Sequence, residues 1–183
     1  VLFQFAVMGH AFAKIALKIK DPKIGILNIG SEDLKGNDAV RSAALLIKES
    51  DLKDNFYGYV EGNDITKGTV DVVVTDGFTG NISLKVIEGT AKMVTELLRE
   101  AFSRSFISKI GYLLAKTAIK KSTQKMDPRL HNGAMLIGLN GVVVKSHGGT
   151  DSLGFSNAIS VAISLVKDKI NEQISNELKG SES

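Results

Sequence analysis

Residues 69–85 read TVDVVVTDGFTGNISLK. Val70, Val72, Val73 and Val74 form a β-branched run closed by glycine and polar residues, the pattern of a short strand buried on both faces. Asp76-Gly77-Phe78-Thr79-Gly80-Asn81 breaks the run. From Ile82 the apolar spacing turns helical, through Val86, Gly89, Met93 and Leu97. The stretch therefore predicts strand, glycine loop and helix. In an open parallel sheet, ligands bind in the loops at the carboxyl ends of the strands. A helix that follows such a loop offers an anion its free N–H groups and the positive end of its dipole. Gly77 and Gly80 are placed for close approach of the backbone, and Asn81 for the helix cap.

The same unit recurs on either side. Upstream, Val1 to Ile19 reads as a helix with Phe5, Met8, Phe12, Ile15 and Ile19 near one face, stopped by Asp21-Pro22. Ile24 to Ile29 is a strand, followed by a Gly30–Asp38 loop and a helix from about Ala39 to Lys48 capped by Asn37 or Asp38. Phe56 to Val60 is a short strand closed by Glu61-Gly62-Asn63-Asp64. Downstream, the central helix runs to about Phe102. A second helical stretch covers Ser103 to Lys125, with a possible break at Gly111. Gly141 to Lys145 reads as a strand opening into Ser146-His147-Gly148-Gly149-Thr150-Asp151-Ser152, and a helix spans Phe155 to Leu178. Strand, polar glycine loop and helix thus recur at Ile24, Val70 and Val142. This alternation predicts an α/β/α fold with a mainly parallel sheet.

The chain has 183 residues, enough for one domain with a sizeable core. It has no cysteine, which excludes disulfides, thiolate nucleophiles and Cys-ligated metal sites. Three scattered histidines argue against a His-rich metal site. No apolar run is long enough to span a bilayer. The first residues have neither the basic start nor the cleavage site of a signal peptide. The missing initiator Met and the small number of strands suggest the later part of a longer protein. Net charge is +3, but residues 103–131 hold seven Lys/Arg against one acid. The weak global charge argues against general nucleic-acid binding. The local basic stretch carries Phe106, Ile110, Leu113 and Leu114 on one face, with Lys109, Lys116 and Lys120 along a flank. Such a helix suits an anionic membrane surface or a dimer contact, and equally a core-facing helix with a solvated side.

Two loops carry candidate chemistry. In the first, Asn81 and the helix N-terminus suit a phosphate or oxyanion, with Asp76 orienting a partner group; turn and cap chemistry uses the same residues. In the second, Lys145 and His147 face the same way on an extended chain, suiting anion binding and proton transfer. Gly148, Gly149 and Asp151 strengthen that reading over a purely structural histidine. The acidic loops at 31–38 and 61–64 lack the ligand spacing of a calcium site and read as solvated. His10 reads as packed within the first helix, and His131 as a turn residue.

Several collinear segments, FAVMGHAFAK, IGILNIGSEDLKGND, GYVEGNDI, VDVVVTDGFTGNISLKVIEGT and NGAMLIGLNGVVVKSHGGTDS, resemble the bacterial phosphate acyltransferase family PlsX. The resemblance covers nearly the whole chain and matches the C-terminal half, or slightly more, of that family. It implies a three-layer α/β/α fold related to phosphotransacetylases and isocitrate-type dehydrogenases. It also implies a homodimer, peripheral association with the inner membrane surface from the cytoplasmic side, and a basic hydrophobic helical hairpin at the position of Phe106 to Met126. The implied reaction is attack of inorganic phosphate on acyl–acyl carrier protein, giving acyl-phosphate for phospholipid synthesis and for a downstream glycerol-3-phosphate acyltransferase. No metal or organic cofactor is implied. The implied chemistry needs a positioned dianion, an oxyanion hole and a proton for the leaving thiolate. The candidates are Asn81, Gly77, Gly80, Lys85, Lys145 and Gly148 for phosphate or oxyanion, Asp76 for orientation, and His147 for acid/base work or orientation. The basic stretch, including Lys116 and Lys120, also offers a dock for the acidic carrier protein. Rival readings are a CoA-dependent phosphotransacetylase, a decarboxylating dehydrogenase, for which the clustered metal-binding aspartates are not evident, and a non-catalytic membrane- or partner-binding fragment.

Overall fold

The computed structural model describes residues 1–124 and 127–180. The end of the basic stretch at Lys125 and Met126, and the tail at 181–183, lie outside the described residues. The elements are α1 (Leu2–Ile15), β1 (Ile24–Leu27), α2 (Asp38–Lys48), β2 (Phe56–Val60), α3 (Gly62–Lys67), β3 (Val72–Val74), α4 (Gly77–Ser103), α5 (Phe106–Gln124), β4 (Ala134–Met135), β5 (Val144–Lys145), α6 (Ser152–Lys167) and α7 (Ile170–Gly180).

β1 lies at the centre of a parallel three-stranded sheet in the order β2-β1-β3. Its position explains its composition. Ile24 and Ile26 are fully buried, worth about 1.5–3 kcal/mol each on burial. Between them Gly25 is required by close approach, because a Cβ there would meet Val60 at 2.6 Å and Val70 at 3.2 Å. The chain leaves β1 through α2 to β2, then recrosses through α3 to β3 on the other side. β2 is an edge strand with a bulge: Phe56 pairs with Ile24 and Gly58 with Gly25, so Tyr57 is the extra residue. Gly58 takes the left-handed region there, at φ 116°.

α2 is capped by Asn37, whose Oδ1 accepts from the Val40 N–H at 2.9 Å, and it buries Ala43, Ala44 and Ile47 against the sheet. α1 packs against β3, α2 and α7. Of the predicted face only Ile15 is buried, and the helix ends there rather than at Ile19. Leu2, Ala6, Val7, His10, Ala11, Ala13 and Ile15 are inside, whereas Phe5 is exposed and Met8 and Phe12 are half-buried. Small side chains win because three elements approach α1 closely; a Cβ on Gly9 would sit 2.8 Å from Val72. α1 thereby joins two apolar clusters. The first contains Leu2, Ala6, Ile24, Ile26, Ile47 and Val74, and the second Ala11, Ile15, Leu165, Ile170 and Ile174.

The mixed α/β class and the parallel sheet agree with the sequence, and four local expectations are corrected. Glu61–Asp64 is not an open loop: Glu61 caps α3 through a reciprocal capping box with Asp64. α5 runs unbroken through Gly111. The last helix is two helices, α6 and α7, divided where Lys169 adopts φ 50°. The strand at Val142 does not extend the parallel sheet. Only Val144–Lys145 is strand, and it pairs antiparallel with Ala134–Met135. Gly138, at φ 90°, turns the chain between them.

Helices α4 and α5 contact each other and bury no side chain among the described residues. Phe102 and Tyr112 meet across the hairpin with ring centroids 5.4 Å apart. The 27 residues of α4 span about 40 Å at the usual helical rise. The Ile82, Val86, Met93, Leu97 stripe, the clearest helical period in the sequence, is bare. Among the described residues no helix is long and apolar enough to cross a membrane.

Candidate functional site

The strand order reverses at β1, so the crevice outside the carboxyl ends of β1 and β3 is the topological switch point of the sheet. The β3–α4 turn lies there, but it is shorter than the sequence suggests. β3 ends at Val74 and α4 begins at Gly77. The cap is Asp76, not Asn81. Its Oδ1 accepts from the Thr79 N–H at 2.9 Å and its Oδ2 from the Thr79 hydroxyl at 2.6 Å. The Thr79 hydroxyl, then its N–H, holds the Asp76 carboxyl below the usual carboxylate range. Both carboxylate oxygens are therefore engaged in capping.

Asn81 is the fifth residue of α4, exposed and one turn beyond the cap. The Gly80 N–H donates to Asp76 O at 2.9 Å, closing the first helical bond, and so is not offered to a ligand. A Cβ on Gly80 would meet the Thr75 methyl at 2.9 Å, a packing reason for that glycine. Gly77 faces open space. Lys85 is exposed two turns along α4 and ion-paired with Glu88 at 2.8 Å. On the far side of the crevice, Lys35 bonds Glu32 at 2.8 Å and feels the charge of Glu61, so the loops after β1 and β2 approach each other.

The second loop is longer and held from several sides. Residues 146–151 separate β5 from α6, whose cap is Asp151, accepting from the Gly154 N–H at 3.1 Å. Ser146, His147, Gly148, Thr150, Asp151, Ser152 and Phe155 line an open cleft of about 460 Å³. Lys145 and His147 are both exposed, as extended alternation predicts, and Lys145 makes no ion pair among the described residues. The His147 Nδ1 accepts from the Gly149 N–H at 3.1 Å. A neutral ring held this way carries its proton on Nε2.

Sequence reasoning missed two residues that shape this loop. Asn132 is 7% exposed and uses its whole carboxamide. Oδ1 accepts from the His147 N–H at 2.9 Å, while Nδ2 donates to Ser146 Oγ at 2.9 Å and Gly154 O at 2.8 Å. Arg129 bridges Asp127 at 2.7 Å and Asp151 at 3.1 Å. That guanidinium, with the Arg129 N–H, lowers the Asp127 carboxyl to about 2. The Gly154 N–H, then Arg129, holds the Asp151 carboxyl below its ordinary value. The sequence signal was Asn132-Gly133, a turn pair whose partners lie 14 to 22 residues away.

The two loops do not share a hydrogen bond among the described residues. His147 reaches α4 electrostatically at Glu88, three turns past the cap, where Lys85 and secondarily His147 help to hold the Glu88 carboxyl low. The structure thus brings His147 and Gly148 to one cleft, leaves Lys145 exposed at the end of β5 but not among the lining residues, couples Glu88 and its partner Lys85 to His147, and leaves Asp76, Gly77, Gly80 and Asn81 at the α4 turn. A further cleft of about 410 Å³ lies along β2, lined in part by Lys48, Lys53, Tyr57 and Tyr59, with Lys48 ion-paired to Asp33. No group of three or more His, Asp or Glu among the described residues is placed to hold a metal ion.

Comparison with known proteins agrees with the segments quoted above. Residues 1–173 match the family described as fatty acid synthesis protein. The chain is similar to the phosphate acyltransferase of Paramagnetospirillum magneticum, 56% identical over 176 residues, which is 96% of this chain and 50% of that protein. It is 54% identical to the phosphate acyltransferase of Rhodospirillum rubrum over 177 residues, 97% of this chain and 51% of that protein. The phosphate acyltransferase of Agrobacterium fabrum is 54% identical over 179 residues, with 97% and 51% covered. The chain therefore spans about half the length of these relatives, and it belongs to the fatty acid synthesis protein family that the phosphate acyltransferases typify.

Proposed function

We propose that the full-length protein containing this chain is an acyltransferase that moves a fatty acyl group from acyl–acyl carrier protein to inorganic phosphate, supplying acyl-phosphate for phospholipid synthesis. The observation that carries this reading is the His147 cleft, taken with relatives named phosphate acyltransferase. Phosphate is itself the nucleophile, so the protein has to supply position and charge rather than an activated side chain. His147 presents Nε2–H as a hydrogen-bond donor. With Nδ1 occupied by the Gly149 N–H, it acts as a donor to the phosphate or the developing thioester oxyanion rather than as a base. Lys145, two residues before it, adds a cation that makes no ion pair among the described residues, and Gly148 leaves the backbone uncovered. From α4, Lys85 contributes through its ion pair with Glu88, the carboxylate that is coupled to His147. Asn81 and Gly77 offer a secondary anion position at the α4 turn, supported by the exposed Asn81 carboxamide and the open face at Gly77, while Asp76 and Gly80 are taken up in starting the helix.

The test is an assay of the full-length protein with long-chain acyl–acyl carrier protein and inorganic phosphate, following release of the carrier thiol. Phosphate-dependent release is expected, and replacing the carrier substrate by acyl-CoA should lower it strongly. Equal turnover of acyl-CoA would point to a phosphotransacetylase instead.

The α4–α5 hairpin supports a second part of the same reading, a cytoplasmic enzyme bound peripherally to the inner membrane and paired as a homodimer. Phe106 is 77% and Leu114 82% exposed, with Leu113 and Ile110 beside them and Lys109, Lys116 and Lys120 on the flank. Apolar contact together with cationic attraction suits an anionic bilayer, where a downstream glycerol-3-phosphate acyltransferase would receive the product. Leu113→Glu should abolish sedimentation with anionic liposomes while shifting stability by no more than about 0.5 kcal/mol. Unchanged sedimentation would leave the hairpin to subunit or carrier-protein contact.

A further inference from the structure

The Asn132 carboxamide can face only one way. Gly154 O can only accept and the His147 N–H can only donate, so Nδ2 and Oδ1 are fixed by their partners. It is also buried, so a lost bond there is not replaced freely by solvent. Its three partners are the two residues that open the β5–α6 loop and the first turn of α6. The loop turns back on itself immediately beyond. The Gly149 N–H meets His147 Nδ1 at 3.1 Å and the Thr150 N–H meets His147 O at 3.2 Å. Space on the other side is closed as well: a Cβ on Gly133 would lie 3.0 Å from the Ala158 backbone, and one on Gly154 would lie 1.9 Å from Thr150 Oγ1.

From this geometry we infer that Asn132 is a positioning residue that acts through His147. By fixing the His147 backbone N–H, it sets the loop so that Gly149 occupies Nδ1 and the ring proton stays on Nε2, facing the cleft. The inference rests on the reading of His147 as the donor to phosphate or oxyanion. Asn132 itself lines none of the cleft. Without it, the loop no longer fixes the ring, which is free both to take either tautomer and to move away from its place in the cleft.

The experiment uses the full-length protein, labelled with ¹⁵N at histidine, together with the thiol-release assay. In the unaltered protein the His147 ring should show a single tautomer, with the proton on Nε2. Asn132→Ala should give a mixture of tautomers and a rate lower by about 10- to 100-fold, the scale of a misplaced catalytic group. The double variant Asn132→Ala/His147→Ala should be no slower than His147→Ala alone. Asn132→Asp retains an oxygen for the His147 N–H but cannot donate to Gly154 O. It should melt earlier yet keep the Nε2 tautomer and most of the rate, which also decides the matter where Asn132→Ala fails to fold. Losses that multiply in the double variant, a single tautomer in Asn132→Ala, or an Asn132→Asp protein as impaired as Asn132→Ala would each overturn the positioning role. A His147→Ala protein with full phosphate-dependent turnover would overturn the reading beneath it.

Discussion

Two of the strand-to-helix turns in this molecule end in an aspartate cap. At the first, Asp76 accepts from Thr79; at the second, Asp151 accepts from Gly154. The first turn has only Thr75 and Asp76 between strand and helix, so nearly every polar group in it is spent on starting α4. The second has six residues between β5 and α6 and borrows its rigidity from Asn132 and Arg129 in another segment. A cap fixes a helix. A ligand site needs groups left over after the cap is made, and of these two turns the second keeps an imidazole and an open wall, with Lys145 on the strand that enters it.

The sharpest way to break this contrast is by activity. His147→Ala in the full-length protein should cost about 10²–10³ in rate, the range for losing one oxyanion donor, with Asn81→Ala costing much less. Equal losses would make the α4 turn a full partner. Glycine replacement probes the same contrast through stability. Gly154→Ala forces Thr150 or the helix start to move and should cost about 1–3 kcal/mol in denaturant melts. Gly77→Ala meets nothing and should be neutral or stabilising by up to about 1 kcal/mol. Asp76→Ala and Asp151→Ala should each lose about 1 kcal/mol of capping, with Asp151→Ala the more harmful because Arg129 is released too. The smallest effect concerns acid. The Asp127 carboxyl titrates at about 2 against an ordinary 3.8, so its grip on Arg129 is complete above the ordinary value and is lost as pH falls through about 2. A carbon-detected titration should place the Asp127 midpoint there and return it toward 3.8 in Arg129→Ala.

Much of the fold was legible from local pattern. Phe56–Val60 and the α2 helix were legible because short-range rules decide those residues, and the choice left open between Asn37 and Asp38 for the α2 cap falls to Asn37, which accepts from the Val40 N–H. The start of α4 was misplaced because Asp76 and Asn81 are both good caps. What decides between them is the Thr79 pairing, a feature of the folded turn. The buried face of α1 was misjudged because large apolar residues were weighed above small ones, and the approach of α2, α7 and β3 selects the small. The β4–β5 hairpin was hidden because a two-residue strand has no period of its own. In the candidate site, residue chemistry pointed to His147 and Gly148, which line the cleft, and alternation placed Lys145 on the exposed side of β5, outside the lining. Asn132 and Arg129 were not, since their roles consist of contacts across 14 to 28 residues of chain.

The bulge at Tyr57 has a consequence for how this protein behaves in a crowded solution. A regular edge strand of five residues is a template on which a neighbouring chain can add a strand and seed aggregation. Here the extra residue and the left-handed Gly58 put the outward N–H and C=O groups out of step with any straight incoming strand. Phe56-Tyr57-Gly58-Tyr59-Val60 is therefore a poor template for an added strand, and the extra residue and the left-handed glycine share that effect.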